Sequence, residues 1–359
     1  MNMAFNLKAK EGTPEKVIEH HRQDEDKDVS SHNTFTGRGI FNYFQIAIAF
    51  ILIFFILYLV DYREGLRLIA HADLQYILLI IIMAFFDRYL MAYKWAILLR
   101  ARGITVSNTM AFRIYLVSGF VGTLLPLAIG GDVFRAFQLT RDRWTVVQIT
   151  ASIIMERVIG LLALTILCLL GWWFVVRGHG SQFDGLYYSV WGILPILVIG
   201  LLLMTQALTF DTLKRFVTGL KKYRAGRILL DLHDASNNLG RHRKVLLLFF
   251  VLSFLELGLQ CLMSYWGAKA IALPIEMTYF FVIVPLSILG STLPISTGAI
   301  GVTEGVYILL FTWAGLTPTE SFSLALLMRV IGWIILLPGG LVFFYDSVRF
   351  RRFQDIRQQ

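Results

Sequence analysis

Two acid–arginine sets in this chain share one spacing. Arg157 follows Asp132 by 25 positions, and Arg329 follows Glu304 by the same 25. A guanidinium offers a planar fork that matches a phosphate or a carboxylate. Two chemistries are therefore open for each arginine. It grips an anionic headgroup, or it pairs structurally with Asp132, Glu156 or Glu304. The two are compatible, because a counter-ion can release an arginine when an anion arrives. Gly130-Gly131 precede Asp132, and Ser296, Thr297, Gly298 and Gly301 precede Glu304. Paired glycines permit close backbone approach, and a helix beginning there aims its first amides at an anion. Those six residues and the two arginines are the expected substrate contacts. Asp132 is an N-cap or a charge gate. Glu156, Glu304, Glu256, Arg135 and Arg88 are the other candidates for gating or charge coupling. Glu256 and Gln260 stand four apart and share a helix face, with an interhelical hydrogen bond or proton coupling as the open roles. No metal-ligand cluster, HExxH signature or nucleotide loop appears, so no catalytic residue, metal or cofactor is expected.

The elements that hold these residues must be apolar. Of 359 residues, 57% are hydrophobic and 16% charged, with mean hydropathy +0.66. So few charges cannot cover a water-facing surface, which excludes a soluble globular domain and a mainly disordered chain. Cys168 and Cys261 both lie in apolar runs and give no disulfide framework. A crossing helix takes roughly 20 apolar residues. Segments 40–60, 74–99, 146–176, 186–208, 245–272 and 321–345 meet that length. The first starts too far from Met1 for a signal peptide and reads as a retained anchor. Two more apolar regions, 107–139 and 277–316, are broken by Gly and Pro at Leu125-Pro126 and Leu293-Pro294.

The net charge of +9 sorts the loops. Loop 209–244 carries nine basic residues against three acidic ones, and the tail 346–359 carries four against two. With Arg100, Arg102, Arg141 and Arg143, these mark the cytoplasmic side by the positive-inside rule. Loops 61–73, 177–185 and 273–276 go outside. Both chain termini are then cytoplasmic. The basic excess is an orientation signal and a contact for anionic lipid, and it does not point to nucleic acid. The tail 1–39 has six basic and seven acidic residues without periodicity and reads as disordered. Loop 209–244 reads as short amphipathic helices on the inner leaflet.

With 100–106 and 140–144 on one side, region 107–139 must enter and leave the membrane from the cytoplasm. By the same reasoning 277–316 is re-entrant from outside. Backbone breaks at membrane depth are tolerated only inside protein or beside a water-filled cavity. The halves also align. Arg157-Val158-Ile159-Gly160 recurs as Arg329-Val330-Ile331-Gly332, and an offset of 172 superposes acid on acid and arginine on arginine. The expected fold is an all-α polytopic membrane protein, with about six full transmembrane helices and two re-entrant helical hairpins in an inverted repeat. Its halves are about 107–176 and 277–345. Arg135 is expected at the cytoplasmic mouth, Arg88 in the headgroup zone or at the cavity mouth, and Lys94 and Arg113 as snorkelling residues. Trp172, Trp173, Trp191 and Trp313 are expected in the outer aromatic belt.

Leu125-Pro126, Gly130-Gly131-Asp132-Val133-Phe134-Arg135, Glu156-Arg157-Val158-Ile159-Gly160-Leu161 and Leu293-Pro294-Ile295-Ser296 through Glu304-Gly305 together resemble the lysylphosphatidylglycerol synthase transmembrane region, or flippase-like domain, family. The resemblance covers about 40–345. It implies a multi-pass domain of a bacterial-type cytoplasmic (inner) membrane, moving or binding an anionic phospholipid or polyprenyl-type lipid. With no synthase domain after residue 359 in this chain, a stand-alone, non-enzymatic member is expected. An accessory role beside an envelope-biosynthesis enzyme, or an intramembrane lipid-modifying transferase, are the alternatives.

Overall fold

The computed structural model describes residues 35–124, 130–140, 146–179, 195, 242–291, 296 and 299–358. Segment 1–34, the break 125–129, loop 141–145, most of 180–241, and residues 292–295, 297 and 298 lie outside the described residues. The disordered tail, the 186–208 crossing, the amphipathic loop helices, Trp191, Thr297 and Gly298 therefore fall there, the tail and loop in large part.

All regular structure among the described residues is helical. Ten helices follow in order: α1 Phe35–Leu59, α2 Tyr62–Ala70, α3 Leu74–Arg100, α4 Asn108–Leu124, α5 Gly130–Thr140, α6 Val146–His179, α7 Arg243–Ala270, α8 Met277–Ser291, α9 Val302–Trp313 and α10 Pro318–Gln358. The chain divides into two units, one ending at Ala47 and the other beginning at Ile48. The first holds the start of α1; the packing that follows belongs to the second.

Among the described residues, four stretches are long and apolar enough to cross a bilayer: Leu74–Arg100, Gln148–Val175, Arg243–Ala270 and Pro318–Asp346. Both broken apolar regions are helix–break–helix pairs, α4 with α5 and α8 with α9. Loop 61–73 holds an unforeseen helix, α2. It is amphipathic, and Asp61 caps it by accepting from the backbone N–H of Arg63 and Glu64. Such a face suits a membrane–water boundary.

The order long, short, short, long occurs twice, as α3–α6 and as α7–α10. Within each set the short helices pack on each other. Between the sets, α3 packs along α7, α4 against α10 and α6 against α8. Exchanging the sets maps the α4–α10 contact onto the α8–α6 contact. Small residues allow these approaches. Gly339 lies against the backbone of Leu116, and Gly171 against that of Phe281. A Cβ at either glycine would collide with main chain, so the helices could not come so close.

One buried cluster joins Trp95, Leu99, Ala111, Ile114, Leu139, Ile149 and Ile153 around the first short pair. A larger one gathers Phe280, Phe311, Trp172, Cys168, Cys261 and Ile80 around the second. Trp172 is thus a core residue and not part of an aromatic belt, because it faces α8; Trp173 and Trp313 remain exposed. Both cysteines are free and buried.

Candidate functional site

The two acid–arginine sets are formed by corresponding elements. Asp132 is the third residue of α5 and Glu304 the third of α9. Arg157 lies eleven positions after the start of α6, and Arg329 eleven after the start of α10. At ~1.5 Å per residue both arginines are carried ~16 Å along their helices. In each set the first-turn carboxylate of the short helix meets the arginine of the long one.

In the first set, Arg157 Nη2 and Nε both donate to Asp132 Oδ2, at 2.7 and 3.1 Å. The Arg157 side chain is 56% exposed. The second Asp132 oxygen accepts from Arg135 Nη2 at 2.9 Å. Arg135 is buried, with its guanidinium 4.7 Å from the Trp95 ring centre and 4.6 Å from that of Tyr115. Its Nη1 lies 3.1 Å from Glu156 Oε2, within ion-pair distance but not aligned as a hydrogen bond. The Tyr115 hydroxyl donates to Glu156 Oε1 at 2.5 Å. Two acids and two arginines thus balance, and the rings shield Arg135 from water. Arg135 does not line a mouth as expected, because both ring faces and both acids close around it. Asp132 is not an N-cap either: it sits inside the first turn and spends both oxygens on arginines.

In the second set, Arg329 Nε donates to Glu304, and Nη2 lies 3.3 Å from the Ala299 carbonyl oxygen. The Arg329 side chain is 16% exposed. Glu304 Oε2 accepts from the Gly301 backbone N–H at 2.8 Å. That amide is therefore taken by the chain's own carboxylate. Gly301 has φ 81°, and Leu52 stands where a Cβ would be, so glycine is required there on two counts. Ser296 Oγ donates to the Ile300 carbonyl at 2.8 Å and so holds the turn. In both sets a first-turn carboxylate holds the arginine, while Arg157 keeps half its side chain open.

A third polar cluster joins α3 to α7. Lys94 is buried and ion-paired with Glu256, and its Nζ lies 3.0 Å from Ser253 Oγ. The apolar length of α3 suggests a snorkelling lysine, but Lys94 turns inward because Glu256 is there to neutralise it. Gln260 Nε2 lies 3.4 Å from Glu256 Oε1, as their spacing implies. Asp87 is buried beside them. Arg88 is half-buried and turned along its own helix, Nη1 3.6 Å from Met91 Sδ. Arg113 pairs with Asp346 at the exposed end of the α4–α10 contact. Sequence reasoning missed Tyr115 and Trp95, whose types carry no signal of their own. It placed Asp87 beside Arg88 in the second span but gave it no role, although Asp87 and Glu256 are 169 apart, as are the starts of α3 and α7.

Among the described residues, ten helices, four of them long and apolar, with buried ion pairs between them, define a polytopic α-helical membrane protein. Residues 42–340 match the lysylphosphatidylglycerol synthase TM region, and the chain belongs to that family. It is 21% identical over 326 residues to a UPF0104 membrane protein of Pyrococcus horikoshii, covering 84% of this chain and 96% of the relative. It is 24% identical over 300 residues to a UPF0104 membrane protein of Methanothermobacter thermautotrophicus, covering 77% and 88%.

Proposed function

We propose that the protein moves an anionic lipid headgroup across the bilayer, without catalysing a reaction on it. The observation that carries this reading is the pair of acid–arginine contacts at equivalent positions of two equivalent helix sets. A buried ionisable group costs about 3 kcal/mol or more at the bilayer centre, and two matched arginine pairs suit a ligand that visits both sets in turn. In this reading α4–α5 and α8–α9 are re-entrant hairpins of opposite sense, forming an inverted repeat. The first opens to the cytoplasm and the second to the outside of a cytoplasmic membrane, with both chain termini inside. Arg157, the more exposed arginine, receives the headgroup phosphate first, and Asp132 withdraws to Arg135. Arg329 and Glu304 perform the same exchange from the other leaflet. Gly130, Gly131, Ser296 and Gly301 flank the two breaks, Thr297 and Gly298 are assigned to the same contacts on their sequence position alone, and a phospholipid or polyprenyl-type phosphate is the ligand class.

Native mass spectrometry of the purified, non-delipidated protein tests the binding step. The parent retains an anionic lipid, and Arg157→Ala with Arg329→Ala loses it while keeping neutral lipid. Equal retention of anionic lipid by the double variant contradicts the assignment.

A further inference from the structure

The α3–α7 cluster does work that the two arginine sets do not. Asp87 and Glu256 each lie thirteen positions after the start of their helix, ~20 Å along it. They are the same position of the two sets, placed where the sets meet. Asp87 is 2% exposed, Lys94 4% and Glu256 8%. The Lys94 ammonium is spent on Glu256 and Ser253, with the Phe249 ring 4.8 Å away. Asp87 Oδ1 has no hydrogen-bond partner.

Two buried carboxylates share one buried ammonium, and the unpartnered Asp87 oxygen leaves negative charge only partly offset, in a place where such a charge costs several kcal/mol. The other groups around it do not remove the imbalance. Arg88, on the adjacent position, offsets part of the Asp87 charge from a distance, but its guanidinium turns along its own helix toward Met91. Gln260 is neutral and hydrogen-bonds to both Glu256 and Asp87. Tyr115 of α4 is held by Glu156 of α6, which also faces Arg135. Arg329 of α10 is held by Glu304. A proton is the smallest counter-charge that fits, and it gives Asp87 Oδ1 something to share.

We propose that Asp87 and Glu256 form a proton-binding site between the two helix sets, which couples proton movement to the transport cycle. What the proton drives rests on the lipid-movement reading; the site itself does not. With one proton bound the three groups are neutral, and α3 packs on α7 as observed. Loss of that proton to water on one side leaves two carboxylates competing for Lys94, which favours parting the sets at this contact. The proton enters from water on one face of the membrane and leaves to water on the other, with no bond to carbon made or broken.

Infrared difference spectroscopy of the full chain in phosphatidylcholine nanodiscs tests the site. The parent shows a protonated-carboxyl C=O band that persists at neutral pH and disappears on alkaline titration. Both Asp87→Asn and Glu256→Gln lose it. Lys94→Met shifts its disappearance to higher pH, since removing the ammonium favours the protonated form. No such band in the parent, or an unchanged band in both variants, overturns the proposal, as does displacement of the proton by sodium at constant pH. The coupling is tested in proteoliposomes carrying fluorescent phosphatidylglycerol, with the membrane potential clamped. A pH gradient changes the initial rate of lipid movement several-fold in the parent and leaves both variants unaffected. Lipid movement indifferent to the gradient overturns the coupling and leaves the lipid reading standing. A titrating band without lipid movement supports the proton site and removes the lipid reading.

Discussion

Arg135 carries the tightest set of constraints in the first helix set. Its guanidinium is packed against the Trp95 and Tyr115 rings and faces Asp132 and Glu156. Removing one partner from a buried ion network leaves the other charges uncompensated, at about 3–5 kcal/mol. Arg135→Met therefore destabilises the protein by about that much, read as a large fall in unfolding midpoint in detergent. Tyr115→Phe removes one hydrogen bond and costs about 1 kcal/mol. A midpoint for Arg135→Met equal to the parent's contradicts the structural role given to it. Arg157 differs because half its side chain is open, so under the proposed function its loss is expected to cost lipid contact before it costs stability. The 25-residue spacing made both acid–arginine contacts legible in sequence. The Arg135 clamp was not legible, because its two rings come from α3 and α4 and only tertiary packing brings them together.

At the scale of the element, apolar length located three of the long helices to within a few residues, while α10, expected over 321–345, runs on to Gln358 through the stretch read as a tail. Expected spans 74–99, 146–176 and 245–272 appear as Leu74–Arg100, Val146–His179 and Arg243–Ala270. The Gly and Pro breaks located both helix pairs. Helix α2 escaped, since nine residues of mixed polarity do not reach the length that a crossing requires. Lys94 was misplaced for a related reason: hydropathy registers a lysine near a helix end as headgroup-facing, and Glu256, its partner, lies 162 positions away. The opposite entry of the two breaks is a property of these elements and is open to direct measurement. Single cysteines at Ala128 and Ala299, in a background of Cys168→Ala and Cys261→Ala, are expected to react with an impermeant maleimide from the cytoplasmic and the outer side respectively. Reaction of both from one side contradicts the inverted arrangement.

For the whole molecule, the two sets meet along α3 and α7, and each lends a long helix to the other's short pair. That interlocking suits a protein whose halves alternate about a shared contact, with a charged cluster at the contact and an arginine in each half. Sequence periodicity could find the repeat in α5, α6, α9 and α10, where acids and arginines mark the register. It could not find it in α3 and α7, where Asp87 and Glu256 are the only acids at matching positions and differ in type. The central claim is that the two arginines serve lipid movement. Reconstitution with fluorescent phosphatidylglycerol and dithionite quenching measures that movement most directly. The account predicts protein-dependent loss of inner-leaflet fluorescence, reduced at least tenfold in Arg157→Ala and in Arg329→Ala, with fluorescent phosphatidylcholine moving far more slowly in the parent. Phosphatidylglycerol moving at the parent's rate in both folded variants, or not moving in the parent at all, contradicts it.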